Sequence, residues 1–241
     1  MVDDRRTCPS WRPVLSCEHA SNRLPERYAG LVPTDLLETH EGWDPGARTL
    51  ARSLARTLRA PLIEGRFTRL LVDLNRSRTN PSVFSEATAQ LPVGEREELL
   101  AAYHAPYRRE VRERIEEELA RGQRVVHLSV HTFTPVLQGR VRSVDLGVLF
   151  DPDAQEEPKL AERMMTALRA ALPEARVRAN EPYLGTSDGL TRTLRGRLPG
   201  DRYAGLELEV TQVWAERGDW EARCQAIGHA VAAALGLRLR P

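Results

Sequence analysis

Residues able to do chemistry gather at a few places along this chain. Glu18 and His19 follow the short apolar run at 14–17. Asp73-Leu74-Asn75-Arg76 closes the run at 70–74, His131 follows 125–130, and Glu207 and Glu209 alternate with Leu206, Leu208 and Val210. Two imidazoles with a nearby carboxylate are a ligand set for one divalent transition metal. A glutamate beside such an ion is suited to act as general base toward an attacking water. Asn75 and Arg76 set an amide next to a guanidinium, a pair able to hold a carboxylate or to serve as a loop-capping cluster. Glu207 and Glu209 share one strand face. That face is either the solvated side of an edge strand or the wall of a wet cleft or cation site. Asp44 precedes an amphipathic segment, as its N-cap or as a metal carboxylate. His104 and Tyr107 read as packing or surface residues, and His127 and His229 as structural.

These groups can cooperate only if the segments bearing them end side by side. Residues 14–17, 61–64, 70–74, 125–130, 146–150 and 206–211 read as strands. Residues 45–59, 95–121, 159–172 and 219–235 carry apolar positions at helical spacing. Pro45 fits the first turn of its helix, Pro106 bends or splits the long one, and Gly122 stops it. Residues 176–199 read mostly as loop. Strands alternating with helices predict an α/β fold with a mainly parallel sheet and helices on both faces. In such sheets sites collect beyond the carboxyl ends of the strands, where the unusual polar residues lie.

Composition narrows the function classes. Of 241 residues, 35 are basic and 34 acidic, a formal charge of +1, which argues against a nucleic-acid partner bound through bulk charge. Lys159 is the sole lysine, leaving 34 arginines, most of them on charged helix faces among glutamates. No apolar run has the length of a membrane span, and the polar first residues lack the apolar centre of a signal peptide. Three scattered cysteines suggest neither a disulfide framework nor a thiolate metal site. A cytoplasmic single domain over 1–241 is expected, loosely packed over 1–12. Oligomeric state is left open. No glycine-rich phosphate loop or serine nucleophile elbow appears.

Taken together, the motifs resemble the N-formylglutamate amidohydrolase (formylglutamate deformylase) family. The likeness runs through Cys17-Glu18-His19-Ala20-Ser21-Asn22, His40-Glu41-Gly42-Trp43-Asp44-Pro45-Gly46-Ala47, Arg69 with Asp73-Leu74-Asn75-Arg76-Ser77, and Tyr103-His104-Ala105-Pro106-Tyr107. It continues in His131-Thr132-Phe133, Gly147-Val148-Leu149-Phe150, Asn180-Glu181-Pro182-Tyr183 and the Glu207/Glu209 strand. The family is similar to zinc carboxypeptidases and aspartoacylases. This implies a three-layer α/β fold of that type, one zinc, and a metal-dependent amidohydrolase of a linear N-formyl or N-acyl amide. N-formyl-L-glutamate is the leading substrate. Another N-acyl compound, or a non-catalytic carboxylate-binding protein on the same fold, is the alternative.

The resemblance also implies roles. His19, Asp44 and His131 hold the metal, with Glu18 and His40 as rivals for the second position, because Asn22 stands where a His-x-x-Glu motif has its glutamate. Glu209 is the base, with Glu207 as the alternative, and Arg69 polarises the scissile carbonyl. Asn75 and Arg76 clamp a substrate carboxylate, and Tyr183 and His104 line the pocket. Arg142, Arg192 and Arg195 are candidates for a second carboxylate, so the implied partner is a small acidic N-acyl amino acid.

Overall fold

The alternating patterns at 125–130 and 206–211 become neighbouring strands at the centre of a six-stranded sheet. A computed structural model describes residues 11–238. The elements that matter are β1 (Trp11–Cys17), α1 (Ala47–Leu58), β2 (Leu62–Glu64), α2 (Ala105–Ala120), β3 (Arg124–Phe133), β4 (Leu146–Leu149), α3 (Glu157–Ala171), β5 (Val177–Ala179), α4 (Leu190–Arg195), β6 (Tyr203–Thr211) and α5 (Trp220–Ala234). The sheet order is β2-β1-β3-β6-β4-β5. β2, β1, β3 and β6 run parallel, β4 lies antiparallel to β6, and β5 is parallel to β4. The sheet is therefore mixed and mainly parallel, as expected.

Side-chain alternation divides the sheet into two unlike faces. Val126, Leu128 and Val130 of β3, with Ala204, Leu206, Leu208 and Val210 of β6, are buried against α1, α3 and α5. The predicted stripe Ala47, Leu50, Ala51, Leu54 and Leu58 is the buried side of α1. Each fully buried leucine there contributes roughly 1.5–3 kcal/mol relative to exposure. On the opposite face only the lower end is apolar. Val14, Val125 and Tyr203 pack on Tyr107, Val111 and Ile115 of α2 and on Leu190 and Leu194 of α4. Higher on that face stand His127, Ser129 and His131 of β3 and Glu207 and Glu209 of β6. α2 covers the bottom of this polar stripe, and its top opens to a cleft.

The structure corrects several expectations. Residues 70–74 are not a strand. Their N–H groups are taken by turns, with Leu71 N on Thr68 O (3.1 Å) and Asp73 N on Val83 O (2.8 Å), while Leu71, Val72 and Leu74 still bury their side chains. The apolar run reflected burial without a strand partner. Residues 176–199 contain β5 and α4. His131 lies within β3 rather than after it. The helix expected from Pro45 starts at Ala47, because Gly46 at φ 87° makes the turn before it. Pro106 falls at the start of α2, preceded by a π turn over Leu100–His104 in which Ala105 N reaches back to Leu100 O. That wider turn absorbs the helix disruption expected of the proline. Of the supposedly loose N-terminus, residues 1–10 lie outside the described residues. Trp11 and Arg12 already belong to β1, with the Arg124 guanidinium 4.1 Å over the Trp11 ring.

Candidate active site

The register of the central strands sets the site. His131 of β3 lies opposite Glu209 of β6, and Ser129 lies opposite Glu207. β6 sits between β3 and β4, so its acidic face is internal and the edge-strand alternative is excluded. Gly147 of β4 pairs with Glu209. A Cβ there would stand 1.8 Å from Glu181 O, so only glycine lets the 181–188 loop pass this close. His19 comes just after β1. Asp44 is held on the turn before α1 by its N–H on His19 O and its carbonyl on Ala47 N, both 3.0 Å.

These elements bring His19, Asp44 and His131 together. Ligand atoms from the three lie within 4.8 Å of one another, and all three side chains are buried. Asp44 Oδ2 is 2.8 Å from His131 Nδ1 and 3.4 Å from His19 Nδ1. The far nitrogen of each imidazole faces a different buried carboxylate. His19 Nε2 donates to Asp73 Oδ1 at 2.9 Å. His131 Nε2 is 3.1 Å from Glu18 Oε2 and 2.9 Å from Ser129 Oγ. Ser129 Oγ and Tyr107 OH donate to Glu18 at 2.5 and 3.2 Å. Imidazoles whose outer N–H is fixed by a carboxylate present the other nitrogen as a lone-pair donor, an arrangement common among metal-binding histidines. The donor set suits a divalent transition metal.

Charge in this group is balanced locally. Burial alone would raise the Asp44 carboxyl, but the His19 charge and the His131 hydrogen bond hold it well below the usual range. Glu18 behaves likewise, with burial outweighed by His131 and Ser129. Glu209 differs. Burial, with Asp44 and Glu207 adding to it and His131 opposing, pushes its carboxyl up to about 8. Among the described residues its buried Oε2 has no hydrogen-bond partner, an uncommon state for a buried carboxyl oxygen. An unpartnered carboxyl beside three clustered donor side chains fits a cation site with a titratable group next to it.

Arg69 closes one side of the cleft. Its Nη2 donates to Asp73 Oδ2 at 2.6 Å, and its Nη1 is 3.7 Å from Asp44 Oδ1. Opposite, Asn75 Oδ1 accepts from Leu190 N (2.7 Å), and Arg76 Nη1 donates to Asp188 O (2.9 Å). Among the described residues the Asn75 amide N–H groups and the remaining guanidinium N–H groups of Arg76 have no hydrogen-bond acceptor. The cleft, about 170 Å³, is lined by His19, Asp44, Arg69, Asn75, Arg76, His131, Tyr183, Glu207 and Glu209, with Thr132, Leu184, Ser187 and Asp188. A larger cavity of about 330 Å³ beneath Tyr103 and Tyr107 holds no comparable donor set, so chemistry rather than size marks the site.

Comparison with known proteins agrees with the motifs. The N-formylglutamate amidohydrolase family model matches residues 12–214. The chain belongs to the N-formylglutamate amidohydrolase family. A gene product of Agrobacterium tumefaciens superposes with a TM-score of 0.80 at 32% identity, over 95% of this chain and 90% of that one. An N-formylglutamate amidohydrolase from Ralstonia eutropha JMP134 gives 0.75 at 20% identity, over 95% and 94% of the two chains, which establishes the shared fold. No curated protein sequence matches the chain.

Not every residue singled out in the sequence reaches the cleft. His40 is exposed and outside the ligand group. Glu18 sits on the far side of His131 and does not line the cleft. Asp44 directs its side chain at the histidines and caps no helix N–H. His104 is buried with Nε2 on Arg76 O at 2.8 Å, behind the cleft. Arg195 is locked on Glu157 by two bonds of 2.9 and 3.0 Å, and Arg192 is exposed on α4. Arg142 donates to Thr134 O and Tyr183 OH outside the lining. Asp73 and Arg108 were missed. Arg108 Nη1 lies 3.0 Å from each of the carbonyls of Leu74, Asn75 and Arg76, pinning the loop that carries Asn75 and Arg76. Asp73 stood within a recognised motif. Arg108 had no signal, being one arginine in a charged helix.

Proposed function

We propose that this protein is a metal-dependent amidohydrolase that cleaves the linear amide of an N-formyl or N-acyl amino acid. The observation that carries the reading is the buried, unpartnered carboxylate of Glu209 next to the His19–Asp44–His131 group. A non-catalytic binding site has no use for an orphan base. Zinc is the metal proposed, since two imidazoles and a carboxylate leave it an open position. When bound, such an ion supplies a Lewis acid that lowers the pKa of water and polarises the amide carbonyl.

The chain's own residues account for the rest. Asn75 and Arg76 hold the substrate carboxylate and so orient the amide. Arg69, anchored by Asp73, offers a fixed positive charge where the carbonyl oxygen becomes anionic. Glu209 takes the proton of the attacking water and returns it to the leaving nitrogen. The Glu209 carboxyl, held up to about 8 by burial, would fall toward the working range of a general base with a cation held by His19, Asp44 and His131. Among the described residues no helix is long and apolar enough to cross a membrane, and the proposed partner is a small molecule.

The test is metal analysis of protein purified without added metal, together with formate or acid release from N-formyl-, N-acetyl- and N-succinyl-amino acids. About one transition metal per chain and chelator-sensitive hydrolysis are expected. Metal-free protein that keeps its turnover in chelator would defeat the metal assignment.

A further inference from the structure

One side of the cleft is formed by the loop that carries Tyr183, Leu184, Ser187 and Asp188. The loop is anchored at several points. Asn180 Oδ1 accepts from both Phe150 N and Gly185 N at 3.0 Å, and a Cβ on Gly185 would stand 2.2 Å from Phe150 N. Farther along, Arg76 Nη1 donates to Asp188 O and Asn75 Oδ1 accepts from Leu190 N. Tyr183 lies five residues before that junction, exposed on the cleft side. Its hydroxyl accepts from Arg142 Nη2 at 2.8 Å, and among the described residues its own proton has no acceptor.

Arg142 comes from outside the cleft. It follows two short antiparallel strands, Val136–Leu137 and Arg140–Val141, closed at their base by Arg142 N on Pro135 O at 2.9 Å. The half-buried guanidinium lies 5.3 and 4.8 Å over the rings of Phe133 and Tyr183, with Nη1 on Thr134 O at 3.3 Å. It makes no ion pair among the described residues, so its charge is held against Tyr183 without a neutralising carboxylate. A hydroxyl that accepts from a cation donates its own proton more strongly. The other lining hydroxyls lack this backing. Thr132 spends its proton on Pro45 O at 2.7 Å, and Ser187 Oγ is bonded to no cation among the described residues.

Building on the amidohydrolase reading, we propose that Tyr183 and Arg142 form a second carboxylate grip. The Tyr183 hydroxyl donates to the substrate carboxylate that Asn75 and Arg76 do not hold. Arg142 is a positioning residue that fixes this hydroxyl and sets a positive charge behind it. The substrate class is then an N-acyl amino acid with two carboxylates.

The test compares N-formyl-L-glutamate with two singly charged analogues on the metal-loaded enzyme. N-formyl-L-glutamine lacks the side-chain charge, and N-formyl-4-aminobutyrate lacks the α-carboxylate. The unaltered enzyme is expected to prefer the dicarboxylate over each by about tenfold or more in kcat/KM. Tyr183→Phe should cut the preference over one analogue to below about threefold, and Arg76→Lys the preference over the other. Arg142→Gln should act on the same analogue as Tyr183→Phe, through KM, and add less than about twofold to it in the double variant. Preferences unmoved by Tyr183→Phe, or moved over the same analogue as by Arg76→Lys, overturn the grip. Full additivity in the double variant overturns the part given to Arg142. If Arg142→Gln fails to fold, Tyr183→Phe, which removes one exposed oxygen, still decides. Hydrolysis without preference for the dicarboxylate sinks this inference alone. No hydrolysis of these compounds, nor of any N-acyl amino acid tried, brings down the amidohydrolase reading and this inference with it.

Discussion

His127 and His131 lie four residues apart on the same face of β3, both buried, yet they are built into different surroundings. His127 meets only hydroxyls, with Ser16 Oγ at 2.8 Å on Nε2 and Tyr203 OH at 3.2 Å on Nδ1. Burial without a counter-charge pushes its pKa down to about 4, so it stays neutral. His131 has Asp44 on one nitrogen and Glu18 on the other, and those carboxylates raise its pKa despite burial. Residue type, strand, face and burial are shared. What differs is that the loop after β1 and the turn before α1 deliver carboxylates only to the upper position. A buried histidine is thus a neutral core residue or a member of a charged donor group according to what the neighbouring loops bring to it.

The comparison can be broken by substitution, beginning with the largest effect. His131→Asn is expected to lose the metal and on the order of 1000-fold or more in turnover. His127→Gln should keep its metal content and lose less than about tenfold. Loss of metal from His127→Gln would show that the two positions are not distinct. Glu209→Gln leaves the ligands intact, so turnover should fall ~100-fold or more with metal content unchanged. Near-normal kcat would move the base elsewhere.

Smaller effects sharpen the contrast. Glu18→Gln keeps a hydrogen-bond acceptor for His131 but removes the charge, and metal affinity measured by chelator competition should weaken ~10-fold. Ser16→Ala, its counterpart beside His127, should leave that affinity alone. The pH dependence of stability separates the two sites as well. Because the pKa of His127 is lower folded than unfolded, the unfolded chain binds its proton first as pH falls. Stability from this group is therefore present above about pH 6.5 and lost on descending toward pH 4. The loss is up to about 3 kcal/mol by denaturant titration, and His127→Gln should remove that slope.

Much of the site was legible because its residues are chemically conspicuous. A histidine closing an apolar run, paired glutamates on one strand face and an Asn-Arg pair stand out wherever they occur, and they read as a metal site with a base beside it, while the amidohydrolase reading came from the family resemblance. The register of β3 on β6 then placed Glu209, rather than Glu207, opposite His131. What was not legible is which residues act through partners. Asp73 and Glu18 orient the histidines, and Arg108 and His104 pin the clamp loop, across 54, 28 or more positions of chain. No local pattern records those contacts.

The arginines show the same division. Sequence alone determined that the chain is an α/β protein with a mainly parallel sheet, of balanced charge, with its conspicuous polar residues in or next to buried apolar runs, because periodicity and residue type act locally. Tertiary structure alone decided which guanidiniums face the cleft. Arg69 and Arg76 do, Arg195 closes a buried pair with Glu157, and Arg142 stacks on aromatic rings. An arginine's reach is long and its partners are set by whichever carboxylate or carbonyl the fold brings near, so its role is fixed by packing rather than by its neighbours in the chain.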